Sequence, residues 1–400
     1  MTPKLHFWVV LLLLLIPFWG FAQQADSSAC RLRISILTCG PGGELYSVYG
    51  HSAIRVIDSC HGYDVVYNYG TFNFSDPDFY WKFTRGKLDY YLNEESFDGF
   101  FRSYSREGRS VYEQVLSLST EDAYRVYTFL KHNLVEENKY YRYDFLFDNC
   151  STRIRDIFLN LFGRRFQYGY VIRDDSMSFR TVLNHYERNL HWERLGINLL
   201  MSDQVDKKMN NNESMFLPDY LQRGFHAAKL DAKPLIAQTL QLLPQQFYES
   251  KTSNTPKRVF WALLLIVLLV SIMPNAKKYL IYFDVLFFLL IGLLGCFMLF
   301  MWLATEHAVC ANNLHLLWAL PLHVLFAFIL PRQNDMVYNY ARYASLILLW
   351  ACVLQLFVNQ KYMSELTPLL ILLFIRLSSH SKRIRMLNFK TQFARVGNAN

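Results

Sequence analysis

"FDNCSTRIRD", residues 147–156, sets one cysteine, Cys150, between an Asp-Asn pair and the start of an apolar period. Ile154, Ile157, Phe158, Leu161 and Phe162 recur at helical spacing, and Gly163 offers a stop. The stretch therefore predicts a helix over 151–162 with a thiol at its head. A helix N-terminus has unpaired N–H groups and the positive end of the dipole. Both favour thiolate, the reactive form of cysteine. Two disulfides among the four cysteines outside the apolar C-terminal third are the plain alternative for Cys150. Cys30 and Cys60 are the expected pair, one before a strand and one on a hairpin tip. Cys39 reads as a small buried apolar residue.

A reactive thiolate needs a general acid/base. His51 in "YGHSAIRV" (49–56) begins a predicted strand, and Gly50 before it permits close approach of a backbone or substrate. It is the candidate base, with an ordinary structural histidine as the alternative. Residues 31–37, 52–58, 64–72 and 110–118 read as strands. If "SCHG" at 59–62 is a tight turn, residue 51 pairs near residue 70, and residue 68 falls diagonally on the same face. Asn68 is then placed to hold the imidazole. Asp58, Asp64 and Asp148 are its rivals, and Asp148 also reads as the helix cap. Arg55, Tyr69 and Arg153 are the candidate substrate-binding residues here. The two arginines suit an anionic head group and suit surface salt bridges equally well.

Helices are predicted from Asp76-Pro77, from Ser119-x-x-Asp122 to about 136, and over 176–190 and 214–230. Mixed helix and strand over about 200 residues gives an α+β domain large enough for its own core. The Phe and Tyr abundance of 63–104 reads as core rather than as a lipid groove.

The flanks are apolar. The chain is 52% hydrophobic and only 18% charged, too apolar for an ordinary soluble protein. Residues 1–22 carry Lys4, an apolar run and Gly20-Phe21-Ala22, the form of a secretory signal; an uncleaved anchor is the alternative. The domain at 23–230 is therefore expected outside the cytoplasm. Residues 231–257, with Pro234, Pro244 and Pro256, read as a linker. Apolar runs at 259–274, 279–303, 314–330, 343–358 and 366–377 predict five spans within 258–380, before a basic tail at 381–400. Lys277, Lys278, Arg332 and Arg342 fall on the predicted cytoplasmic side, and the outer loop 304–313 has no Lys or Arg. The net charge of +8 thus needs no nucleic-acid partner. Trp302 and Trp318 fit an aromatic belt. Glu306, His307, Asn312, Asn313 and His315 sit at the outer mouth of the spans. His307 and Asn313 are the candidate contacts there for head groups or an amine, against a reading as plain interfacial polar residues. No metal or cofactor motif is recognised.

The runs "LTCGPGGELYSVYGHSAIRVID" (37–58), "DVVYNYGTFNF" (64–74), "FYWKFTRGKLDYYL" (79–92) and "YRYDFLFDNCSTRIRD" (141–156) resemble the N-terminal periplasmic domain of the Lnb-type lipoprotein N-acyltransferases of Bacteroidota. "TEHAVCANNLHLLWALPLH" (305–323) resembles part of that family's membrane region. The order of histidine then cysteine is also similar to circularly permuted papain-like enzymes of the NlpC and lecithin:retinol acyltransferase type. The resemblance implies a permuted papain-like (NlpC-like) periplasmic domain followed by an all-α membrane domain of five helices. It implies Cys150 as nucleophile and His51 as base. The implied reaction moves an acyl chain from phospholipid to the α-amine of a diacylglyceryl-modified lipoprotein cysteine, at the inner membrane. The competing expectations are a thiol hydrolase of the envelope, either a cell-wall amidase or a phospholipase, and a non-enzymatic scaffold.

Overall fold

The computed structural model describes residues 32–172, 177–246 and 252–396. The expected signal segment and Cys30 lie outside the described residues. Ten strands are present among them: β1 (Leu32–Cys39), β2 (His51–Asp58), β3 (Tyr63–Thr71), β4 (Asp89–Ser96), β5 (Val111–Leu116), β6 (Tyr140–Arg142), β7 (Phe166–Gln167), β8 (Lys229–Leu230), β9 (Lys233–Pro234) and β10 (Ile236–Leu243). Seven of them form one antiparallel sheet in the order β10-β5-β1-β2-β3-β4-β6. The helices of this domain are α1 (Phe79–Thr84), α2 (Phe97–Arg106), α3 (Thr120–Leu134), α4 (Cys150–Phe162), α5 (Phe179–Tyr186), α6 (His191–Leu200), α7 (Asn211–Ser214) and α8 (Pro218–His226).

Strand alternation separates two cores. Ile34, Ile36, Ile54, Val56 and Tyr67 point to one face, where Val126 of α3, Ile154 and Phe158 of α4, and Leu221 of α8 cover them. Leu37, Ala53 and Val66 point to the other, under Phe100 of α2. This is the expected α+β domain, with three corrections. The helix expected at Asp76-Pro77 starts at Phe79, because Asp76 turns back to accept from the Asp78 N–H at 2.9 Å. β4 and α2 were not expected. Finally, the supposed linker contributes β10, which pairs along β5 at the sheet edge. Gln238, Thr239 and Gln241 face water there, so the strand reads as polar linker although one edge of its backbone pairs with β5.

Beyond it lie α9 (Thr255–Ile272), α10 (Leu280–Leu303), α11 (His323–Ile329), α12 (Asp335–Leu354) and α13 (Thr367–Val396). Among the described residues, α9, α10 with its preceding turn, and α12 are long and apolar enough to cross a membrane. The stretch expected as a continuous third span is broken. A 3-10 turn covers Leu314–Leu317, and helix resumes only at His323. Pro321 lacks an N–H and biases Leu320 away from helix, which explains the interruption. Two glycines of α10 accept the irregular segment: a Cβ on Gly295 would lie 1.9 Å from the Ala319 carbonyl oxygen, and one on Gly292 2.4 Å from the Val324 nitrogen. Small residues let backbones approach this closely between membrane helices. Residues 381–396 of the expected basic tail continue α13.

The two parts are bolted together by buried polar groups. Asn313 donates to the carbonyls of Leu199 and Leu200 at 2.7 and 3.1 Å, and accepts from Gln360 at 3.0 Å. Arg194 of α6 pairs with Glu365 at 2.6 Å, and Leu195 enters the apolar core of the membrane helices.

Candidate active site

Gly50 enters β2 with φ +81°, and a Cβ there would lie 2.5 Å from the Cys39 carbonyl oxygen. Only glycine makes that turn without strain. It delivers His51 as the first residue of β2, opposite Cys39. β2 pairs with β3 in a register that matches Ile54 with Tyr67 and Asp58 with Tyr63. Continued, this register sets residue 51 against 70, so Asn68 lies diagonally across from His51. His51 Nε2 and Asn68 Oδ1 are 3.1 Å apart.

Helix α4 packs against β2 and β3 and carries Cys150 as its first residue. Asn149, not Asp148, is the cap: its side chain accepts from the N–H groups of Ser151 and Thr152 at 2.8 and 3.0 Å. It also donates to the carbonyls of Phe145 and Phe216, at 2.7 and 3.0 Å, which fixes the helix head in place. The Cys150 N–H at that head is left uncapped by Asn149. Asp148 instead forms a two-pronged ion pair with Arg153.

Cys150 is a free, partly exposed thiol. Burial pushes its pKa up, but the charge and hydrogen bond of His51, the Ser52 backbone N–H and Ser151 outweigh this and hold it below the ordinary thiol value. For His51, burial pulls the other way, and the Cys150 thiolate together with Asn68 leaves the imidazole above its ordinary value. The opposed shifts favour the charged form of both groups, thiolate and imidazolium. Since Nε2 belongs to Asn68, Nδ1 is the nitrogen left for the thiolate.

A fourth member was missed by sequence reasoning. Asn68 Nδ2 donates to Glu95 Oε1 at 2.8 Å. A carboxylate only accepts, so it fixes the amide orientation and directs Oδ1 at the imidazole. Burial raises the Glu95 pKa, opposed by His51 and by the Asn68 bond. The signal available in sequence was the pairing of Val66 with Glu95 across β3 and β4, which requires β4 to be recognised first. Arg109 was missed as well. It donates to the Gly40 carbonyl at 2.9 Å, and its charge opposes protonation of His51.

The remaining expected residues fall elsewhere. Arg55 is buried, held by Asp64 at 2.7 Å and Glu113 at 3.2 Å, with the Phe97 ring 3.2 Å from its guanidinium carbon. It is a structural ion pair and offers no free face to a head group. The rival Asp64 is thereby committed too, and Asp58 caps the turn at Cys60 and His61. Tyr69 is buried and its hydroxyl accepts from Asn133 at 3.0 Å. Tyr69 and Arg153 line a cavity of about 390 Å³ beside α4 that Cys150 does not line. His307 faces the Phe83 carbonyl at 3.2 Å, and Asn313 is one of the bolts between the two parts, so neither meets the cysteine. Cys60 is disulfide-bonded, and Cys39 is a buried thiol pushed up to about 12.

Fold and site together define a membrane protein carrying a cysteine–histidine centre on an α+β domain. The chain belongs to the Lnb family: it matches the Lnb N-terminal periplasmic domain over residues 21–185 and the Lnb transmembrane domain over 248–385. Membership makes it a membrane protein of a lipoprotein-processing family. No curated protein and no solved structure matches the chain.

Proposed function

We propose that the protein is a lipoprotein N-acyltransferase of the inner membrane that works through a Cys150 thioester. The observation that carries this reading is a cysteine at a helix head beside a histidine held by Asn68, on a domain fixed to membrane helices. Cys150 Sγ attacks the ester carbonyl of a phospholipid. The sulfur–carbon bond forms, the ester carbon–oxygen bond breaks, and protonated His51 gives its proton to the departing glycerol oxygen. A lysophospholipid leaves. The α-amine of a diacylglyceryl-modified cysteine then attacks the thioester. Neutral His51 takes the amine proton, an amide forms, and the thiolate is restored.

The Cys150 backbone N–H at the helix head supplies a positive dipole beside the reacting carbon, where an oxyanion develops. Asn68 holds the ring in the orientation needed for both proton transfers. Docking the domain on membrane helices raises the local concentration of two lipid substrates. The test is mass spectrometry of a lipoprotein N-terminus from cells with the protein, without it, and with Cys150→Ala. A third acyl chain that appears only with the intact protein supports the reading. An N-terminus identical in all three cells overturns it.

A further inference from the structure

The aromatic residues expected to be core between 63 and 104 divide into two groups. Phe72, Phe79 and Tyr90 are buried or half-buried, but Phe74, Tyr80, Trp81 and Phe83 are 66, 81, 56 and 52% exposed. Four large exposed aromatic side chains around one short helix are costly in water and mark a contact surface.

The position of α1 identifies the occupant. Trp81 meets Phe300, in the last turn of membrane helix α10, at 6.2 Å between ring centroids. Glu306, just beyond α10, donates its N–H to the Arg85 carbonyl at 2.9 Å and pairs with Lys87 at 3.4 Å. Gly86 makes this approach possible: at φ +68° its Cβ position lies 3.3 Å from the His307 ring. The exposed face of α1 therefore continues the exposed apolar side of α10, where Leu293, Phe297 and Leu303 are bare. That is the depth at which aromatic rings settle at a membrane–water interface.

From α1, rings lead inward. Phe79 stacks on Phe72 at 5.6 Å, Phe72 meets Tyr90 at 5.2 Å, and Tyr90 stacks on Tyr143 at 4.3 Å. Tyr143 and the Cβ of Cys150 lie 3.8 and 4.0 Å from the position a Gly70 Cβ would take. We infer that the segment 72–86 is seated in the lipid leaflet beside α10 and guides a phospholipid acyl chain along these rings to Cys150. The inference rests on the proposed acyl transfer and adds to it the place where the donor leaves the bilayer.

The test uses the full-length protein in phosphatidylethanolamine–phosphatidylglycerol vesicles with two acyl donors. One is the vesicle lipid, read as lysophospholipid release. The other is water-soluble p-nitrophenyl butyrate, read as the mass shift of Cys150. The variant is Tyr80→Ser/Phe83→Ser, and the rescue is Tyr80→Trp/Phe83→Trp. The expected result is a fall of about tenfold in the ratio of lipid to soluble-donor rates, equivalent to about 1.4 kcal/mol, with recovery in the rescue. An unchanged ratio overturns the inference, whether both rates persist or both fall. If the wild-type protein forms no Cys150 thioester from either donor, the functional reading fails, and the lipid route falls with it.

Discussion

Replacing Asn68 by alanine separates the orientation of the imidazole from its presence. In the native site His51 Nε2 meets Asn68 Oδ1 at 3.1 Å, and the amide itself is held by Glu95 at 2.8 Å. Asn68→Ala leaves His51 opposite Cys150 but free to rotate. A hydrogen bond to a charged group contributes about 1.5–3 kcal/mol. If all of it is lost in the acylation step, the rate falls about 10- to 150-fold. Asn68→Asp keeps an acceptor for Nε2 and adds a negative charge, which pushes the His51 pKa further up. It also sets two carboxylates side by side. It is expected to acylate faster than Asn68→Ala and to melt lower than the wild type. The assay is the rate of Cys150 acylation by p-nitrophenyl butyrate across pH, with thermal unfolding run in parallel. An alanine variant with the wild-type rate and pH profile refutes the orienting role. A rate loss that follows only the loss of folded protein refutes it equally.

Alkylation of Cys150 by iodoacetamide is expected to reach half its maximum at a pH below that of an ordinary thiol. His51→Gln removes the charge and leaves burial opposed only by the Ser52 N–H and Ser151, so the midpoint moves up; a midpoint that stays in place counts against the ion pair. Cys39, pushed up to about 12, stays silent in that experiment. Arg55→Ala leaves Glu113, whose side chain is 1% exposed, with only the half-exposed Arg33 at 3.5 Å, and is expected to cost somewhat less than the roughly 3–5 kcal/mol of a buried charge left wholly unpaired. A head-group ligand would raise KM instead, so thermal unfolding beside kinetics decides the matter. Asn313→Ala removes two donations to the Leu199 and Leu200 carbonyls, about 1 kcal/mol each. Faster proteolysis between the two parts, with Cys150 alkylation intact, is the expected outcome.

The placement of Cys150, His51 and Asn68 was legible because it rests on local features. The thiol at a helix head follows from apolar spacing after Cys150, and the diagonal placement of Asn68 follows from a four-residue turn and period-two counting. Glu95 was not legible because its position depends on β4, whose "DYYLNEES" mixes polar and aromatic residues without alternation. Arg55 misled for a related reason. An arginine on a strand near a predicted site reads as a ligand, and Glu113, its partner, comes from β5, 58 residues further on. Asn149 and Asp148 are both good caps by type. Only the chain that receives the Asn149 amide, around Phe216, distinguishes them.

The membrane part shows the same limit from the other side. Hydropathy finds apolar length but does not see what a polar residue in it is bonded to. His323 sits in an apolar run and faces the Trp318 carbonyl at 3.2 Å, a group released by the helix break. In a bilayer such a carbonyl must be satisfied from within the protein. The break therefore needs three things at once: Pro321 to interrupt the helix, His323 to take up the carbonyl, and Gly292 and Gly295 on α10 to admit the backbone. Each is unremarkable alone, and together they account for a bent segment where the apolar run suggested a rod. That bend brings Asn313 and the 304–313 loop under α6 and α1. The loop ahead of the irregular segment thus supplies contacts that hold the cysteine-bearing domain on the membrane helices. A polar residue inside an apolar run is best read with the backbone group it must satisfy.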